Sequence, residues 1–235
     1  MSVMLRSKRV IPRVTLSEQI VQRLREYIWT GKLVSNAQLN ERELALAFGV
    51  SRGPLREAMQ RLIQEGLLRS DPHRGVFVEE IGEADLKDIY FVRGAIETAA
   101  IKQIITSGNT VRISDQLLSI SERMEKAVSA KRWKAGSELD FEFHRTLVDG
   151  ANSKRLAKTY TTVQAETRLC LHRLMAGYRC STDLAVEHFE FANILKNGDL
   201  TETTEELKKH FGDPVAIMQR AQQNRSKEKV ESFPE

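Results

Sequence analysis

Along residues 15–64, apolar positions recur at helical spacing in three short blocks. Ile20, Leu24, Tyr27 and Ile28 form the first stripe, opened by Thr15 with Glu18 three residues on and closed at Gly31. Leu44, Ala47 and Phe48 form the second, and Leu55, Met59, Leu62 and Ile63 the third. Asn40 followed by Glu43 predicts a helix start near Glu41. Gly49 fits a left-handed turn after that helix, and Ser51 is a cap for the next, with Pro54 tolerated in its first turn. Two helices joined by so short a turn predict a helix-turn-helix, whose second helix normally lies in the DNA major groove. Arg52 and Arg56 fall four apart on the face opposite Leu55, Met59 and Leu62. A buried helical hairpin with a solvated basic edge is the alternative reading of the same residues. Beyond Gly66, the turn residues Asp71-Pro72 and Gly75 precede a short β-like run, Val76 to Val78. Three helices followed by a small hairpin make a winged helix-turn-helix, with His73 and Arg74 at the tip of the wing.

From Glu83 onward the pattern changes to one amphipathic helix after another. Helices are predicted over 83–107, 110–130, 132–149, 153–175, 182–197 and 200–223, with breaks at Gly108-Asn109, Gly150 to Asn152, Gly177 and Gly198-Asp199. Short connections imply an antiparallel bundle able to bury its own core. Trp29, Trp133 and the phenylalanines read as core. The expected fold is mainly α, an N-terminal winged helix-turn-helix over 15–80 followed by an all-α antiparallel bundle over 83–223. Flexible tails are expected at 1–14 and 224–235.

Composition narrows this picture. The chain has 235 residues, 41% of them hydrophobic and 29% charged, as suits a globular protein. Without an apolar run of membrane-spanning length or an apolar stretch after the basic N-terminus, neither a membrane span nor a signal peptide is expected. The cysteines, Cys170 and Cys180, offer no disulfide framework and no metal-type pair, consistent with a cytoplasmic location. Net charge is +4. Residues 1–82 carry 13 Lys and Arg against 9 Asp and Glu, and the remainder carries 23 of each, so the whole excess lies with the helix-turn-helix. A localised positive field is what a phosphate-binding surface requires.

The bundle holds a separate constellation. Asp140 and His144 are four apart and share a helix face. His188 lies in line with Leu184, Phe191 and Leu195, and His210 follows Leu207 by three, both on inward stripes. One carboxylate and three imidazoles converging in a bundle suit a divalent metal, zinc ahead of nickel or manganese. Each histidine taken singly also reads as a hydrogen-bonded core residue. A metal-dependent hydrolase is the rival from another class, although Glu187, beside His188 in sequence, points elsewhere and is poorly placed as a general base. His172, with Arg168 and Arg173, reads as a solvated helix edge.

Residues 15–80 resemble the DNA-binding domain of the GntR family of bacterial transcription regulators. The phrases that carry the resemblance are Leu39-Asn-Glu-Arg-Glu-Leu-Ala, Gly49-Val-Ser-Arg-Gly-Pro-Leu-Arg-Glu-Ala, Glu65-Gly-Leu-Leu and Arg74-Gly-Val-Phe-Val. The resemblance implies DNA contacts at Arg42, Ser51, Arg52, Gly53, Arg56, His73 and Gly75, with Arg74 beside them on the wing. Two departures are visible: Asn36 stands in a turn where the family usually has Gly, and Gly53 where relatives often place a larger side chain. The second half is similar to the FadR C-terminal domain, in its metal-containing, VanR-like subgroup. That likeness implies Asp140, His144, His188 and His210 as ligands, Glu187-His188 matching the family's Glu-His pair. It also implies Arg93, in an Arg-x-x-x-Glu phrase with Glu97, as the partner of an effector carboxylate; an intrahelical Arg93–Glu97 pair is the plainer reading. Gly212-Asp213-Pro214, directly after His210, should break or kink the last helix. The implied protein is a homodimeric, ligand-responsive regulator of double-stranded operator DNA, more often a repressor, and not an enzyme.

Overall fold

A computed structural model describes residues 14–175 and 181–220, leaving aside the side chains of 170–175 and 181–183. The tails expected at either end, the break at Gly177 and the side chains of Cys170, His172, Arg173 and Cys180 lie outside the described residues. The chain divides into two compact units, residues 1–79 and 80–235.

The first unit runs α1 (Leu16–Trp29), β1 (Gln38–Leu39), α2 (Glu41–Phe48), α3 (Arg52–Gln64), β2 (Leu68–Asp71) and β3 (Gly75–Val78). The caps foreseen for α1 and α2 are in place. Thr15 Oγ1 accepts the Glu18 N–H at 3.1 Å, and Asn40 Oδ1 accepts those of Arg42 and Glu43 at 3.0 and 3.3 Å. Gly49 closes α2 at φ 65°, a conformation that costs glycine little and most residues more. Ser51 holds the N-cap position of α3, but its side chain makes no capping hydrogen bond, so that cap is positional only. Ile20, Val21, Leu24 and Ile28 of α1 are buried where α1 packs on α3, whose Leu55, Ala58, Met59 and Leu62 are buried in turn. The stripe on α2 is rotated from expectation. Ala45 is its buried residue, Leu44 and Phe48 are half-buried, and Ala47 is exposed with Leu46, which is 84% exposed. A two-turn helix leaning mainly on α3 buries a face only about one residue wide.

The wing is a three-stranded antiparallel sheet in the order β1-β3-β2. β2 pairs with β3 from Leu68 opposite Val78 to Asp71 opposite Gly75, and β1 adds Gln38 and Leu39 opposite Phe77 and Val76. The sequence gives β1 no signal, because two residues are too few for any alternation to show. Arg69 ties the sheet down, donating to the Val78 carbonyl at 3.1 Å and to Asn36 Oδ1 at 2.6 Å while its guanidinium lies over the Phe77 ring. Asn36 is in the left-handed region at φ 65°, as its place in the turn requires.

The second unit contains α4 (Glu83–Thr106), α5 (Thr110–Ser129), α6 (Trp133–Gly150), α7 (Lys154–Met175), α8 (Ser181–Asn197) and α9 (Leu200–Phe211). α5 packs on α6 and α8, and α4 on α6, α7 and α9. Gly150 permits the close approach at the end of α6, since a Cβ there would lie 2.8 Å from Ile113 Cδ1 and 3.2 Å from Ile104 Cδ1. The single last helix expected over 200–223 is broken. Gly212 takes φ 54° and ψ −143°, and the chain turns helical again over residues 214–220. Asp213 Oδ1 caps the new start, accepting the N–H groups of Val215 and Ala216 at 3.0 and 3.1 Å, with Pro214 in the first helical position. Two aromatics expected in the core are outside it: Trp133 is 43% exposed at the start of α6, and Phe91 is 74% exposed on the outer face of α4.

Candidate DNA-reading face and metal centre

In the first unit, α3 divides cleanly between packing and presentation. Leu55, Ala58, Met59 and Leu62 are buried, whereas Ser51, Arg52, Gly53 and Arg56 are exposed at its start. Arg42, at the start of α2, is exposed as well. Arg56 donates from Nε to Glu41 Oε2 at 2.7 Å, a link between the first turns of α2 and α3. On the wing, His73 is exposed at φ 61° in the β2–β3 turn, and Gly75 begins β3 at φ 104°. Gln38 Nε2 donates to the Arg74 carbonyl at 2.5 Å, and the Arg74 guanidinium stands over Phe77, near Asp71. Each unit presents its polar groups separately, and in this one they are guanidinium, imidazole and bare backbone, the groups that contact phosphates and base edges.

In the second unit, three imidazoles meet inside the bundle. His144 of α6, His188 of α8 and His210 of α9 are buried, and one ring nitrogen of each lies within 4.8 Å of the others. Hydrogen bonds fix two of the rings. His188 Nδ1 lies 2.7 Å from the Leu184 carbonyl, which can only accept, so Nδ1 carries a proton and Nε2 is the nitrogen turned into the site. His144 Nδ1 lies 2.8 Å from Glu97 Oε2, which turns its Nε2 inward in the same way. Asp140 Oδ1 lies 3.3 Å from His188 Nε2 and 3.9 Å from His144 Nε2, and His210 Nε2 is 3.2 Å from His144 Nε2.

Three buried imidazoles and a carboxylate facing one another could share a cation. Ligand atoms of a tetrahedral ion at about 2.0–2.1 Å are about 3.3 Å apart, close to the 3.2 and 3.3 Å seen here. The donor set, imidazole with one carboxylate, is that of first-row divalent ions, and the three histidines could hold one. The site's charge states agree. Burial pushes the His210 pKa well below 6.5, and His188, His144 and Arg93 push the same way, so this ring is neutral. Burial would raise Asp140, but the neighbouring His188 and His144 imidazoles and Arg93 hold it at about 2, as a carboxylate.

Around the histidines lies a second layer. Glu97 of α4 is fully buried and accepts from Arg93 Nε at 3.2 Å and Tyr160 Oη at 2.9 Å as well as from His144. Burial alone would raise its pKa, but the charges of His144 and Arg93 and the hydrogen bonds lower it. Arg93 is only 3% exposed, with its guanidinium 4.9 Å from the Tyr90 ring centre and 4.6 Å from that of Phe211.

Comparison with known proteins accounts for both units. Residues 16–78 match the family described as bacterial regulatory proteins, gntR family, and residues 88–213, more than half the chain, match the FCD domain. The chain belongs to the GntR family, with an FCD domain as its second half. It is 26% identical to the HTH-type transcriptional regulator YdhC of Bacillus subtilis, over 82% of this chain and 86% of that one. It is 29% identical to the HTH-type transcriptional repressor RspR of Escherichia coli, over 66% of this chain and 67% of that one. Among solved structures, E. coli McbR/YncC shares the fold with a TM-score of 0.67 at 20% identity, covering 94% of this chain and all of that one.

This GntR chain is therefore a DNA-binding transcriptional regulator, and the hydrolase alternative is set aside. The expected ligand set is placed as follows. His144, His188 and His210 come together, the break after Phe211 notwithstanding, because it falls beyond the turn of α9 that carries His210. Asp140 stands beside two of them. Arg93 adopts the intrahelical pair with Glu97. Sequence reading gave no role to Tyr160 and saw Glu97 only as a partner of Arg93. The available signal was a second charge on the inward stripe of α4, which otherwise runs Leu86, Ile89, Ile96, Ala100, Ile101 and Ile104. No helix among the described residues is long and apolar enough to cross a membrane.

Proposed function

We propose that this regulator is a homodimeric repressor whose hold on operator DNA is governed by a small organic acid. The acid binds beside a divalent ion, zinc ahead of nickel or manganese, held by Asp140, His144, His188 and His210. The observation that carries the reading is the convergence of oriented, buried imidazole nitrogens on a site with a carboxylate at its edge. When bound, such an ion supplies a Lewis-acidic point for a ligand carboxylate. The rest is the work of this chain's residues. Arg93 is protonated beside the centre, its Nε held by Glu97 and its faces covered, so what it offers an anion is the guanidinium edge. In the DNA-binding unit, Arg42, Arg52 and Arg56 supply phosphate and guanine contacts, Ser51 and Gly53 border them, and His73, Arg74 and Gly75 serve the wing.

Two copies are required because one winged helix reads one half-site. The name of RspR as a repressor supports the sense of control. Control is a population shift: the acid binds one arrangement of the paired DNA-binding units more tightly than the other. The test uses a duplex selected by the protein from random DNA, with anisotropy titrations against a panel of small organic acids with and without zinc. An acid that binds in a zinc-dependent way and weakens duplex binding supports the reading; acids that bind tightly but leave duplex affinity unchanged refute it.

A second reading is a metal that is structural only. The burial of Arg93, 3% exposed and already engaged by Glu97, favours it. Under that reading zinc raises stability and no acid in the panel binds.

A further inference from the structure

The three histidines of the centre are not equivalent. His188 is oriented by a neutral backbone carbonyl, that of Leu184. His210 Nδ1 is buried with no hydrogen-bond partner among the described residues. His144 alone of the three is backed by a carboxylate, Glu97 Oε2, at 2.8 Å. That carboxylate is held from two other directions, by the Tyr160 hydroxyl from α7 and by Arg93 Nε from α4, both on Oε1. All four side chains are buried.

We propose that Glu97 is the positioning residue of the centre. Anchored by Tyr160 and Arg93, it accepts a hydrogen bond from the Nδ1–H of His144 and so turns Nε2 of that ring toward the metal. The inference rests on the metal-centre reading above. An imidazole whose far nitrogen donates to a carboxylate is a stronger ligand than one backed by a carbonyl, because the carboxylate fixes its tautomer and orientation and raises its basicity. His144 is thereby the dominant imidazole of the set.

The plainer role for Glu97 is to neutralise Arg93, and the geometry argues against it as the whole account. A guanidinium paired with a carboxylate frequently engages both oxygens through its fork. Here Arg93 reaches one oxygen, at 3.2 Å, and shares it with Tyr160, while the other oxygen makes the shortest bond of the three, to His144. The carboxylate is turned toward the histidine.

The test uses the full chain, stripped with a chelator and titrated with Co²⁺, reading the visible ligand-field bands and the affinity against a chromophoric competitor. Glu97→Gln keeps the shape but not the charge, and weakens Co²⁺ binding by about 10–100-fold with altered bands. Tyr160→Phe removes one anchor and shifts both readouts in the same direction by less. A folded Glu97→Gln that binds within about twofold of the parent with the same bands makes Glu97 a mere counter-ion and overturns the proposal. If that variant does not fold, Tyr160→Phe decides, and unchanged affinity and bands overturn it. Should the parent chain take up no Co²⁺ at all, the metal reading fails and this inference with it, an outcome distinct from the others.

Discussion

Replacing His188 by alanine separates what the buried ring does for packing from what it does for a metal. The ring is fully buried, meets Phe143 edge-on with centroids 4.5 Å apart, and donates to the Leu184 carbonyl at 2.7 Å. The aromatic contact is worth about 0.5–1.5 kcal/mol and the hydrogen bond about 1 kcal/mol. The missing ring also leaves a cavity in the core, so the net loss without metal is about 2–4 kcal/mol. The metal-dependent part is read separately. An ion present at about 100 times its dissociation constant stabilises the folded state by about 2.7 kcal/mol. For a domain the size of the second unit that is a rise in Tm of about 5–11 °C. His188→Ala lowers metal-free stability by about 2–4 kcal/mol and in addition loses nearly all of the zinc increment. Thermal unfolding followed by far-UV circular dichroism, in zinc and in chelator, measures both quantities on each protein. Equal zinc increments in parent and variant would refute the assignment of His188 as a ligand, whatever happened to the metal-free Tm.

Three further outcomes follow from the same geometry. Arg52→Ala, at an exposed position on α3, weakens binding to a selected duplex by about 10–100-fold, the worth of one good base contact, and leaves the zinc increment intact; loss of both would mean that the variant misfolds. Metal-free stability falls as the pH drops below 6.5, because His210 is held neutral by burial and by the neighbouring His188, His144 and Arg93, while in the unfolded chain it binds a proton at about that pH. Its contribution is complete above 6.5 and is lost below, and Asp140, held at about 2 against 3.8, adds a second loss only in strong acid. Urea midpoints at pH 7.5 and 5.5 check this, and His210→Asn flattens the difference; a higher midpoint at 5.5 would contradict it. Gly150→Ala places a methyl group 2.8 Å from Ile113 Cδ1 and costs about 1–3 kcal/mol in urea, whereas an unchanged midpoint would show that α5 and α6 can separate freely.

Much of this was legible in the sequence where a local signal and a packing partner agree. Asn40, Gly49, Gly108 and Asp199 mark helix ends by their own chemistry, and the helices between them start and stop where those residues stand. Misreadings came where the local signal was silent about the neighbour. Ala47 fits a helical stripe as well as Ala45 does, and only the placement of α2 against α3 decides which is buried. Trp133 reads as core by size, yet as the first residue of α6 it lies on the edge of the bundle. β1 exists because β3 offers it an edge, a tertiary fact with no trace in Gln38-Leu39.

The candidate metal centre shows the same division at the level of chemistry. Periodicity places His144, His188 and His210 on inward faces, because each shares a stripe with apolar residues whose destination is unambiguous. Periodicity cannot say which nitrogen of a ring faces the centre, since that depends on the far side of the ring. There the partner of His188 is local, the carbonyl four residues back on its own helix, but the partner of His144 is Glu97, 47 residues away. A buried glutamate beside an arginine on one helix reads naturally as a closed ion pair. Only the arrival of α6 and α7 against α4 turns that pair outward, giving one oxygen to a histidine and the other to a tyrosine. The candidate ligands could thus be placed on inward faces from sequence, while the carboxylate behind His144 depended on three helices meeting.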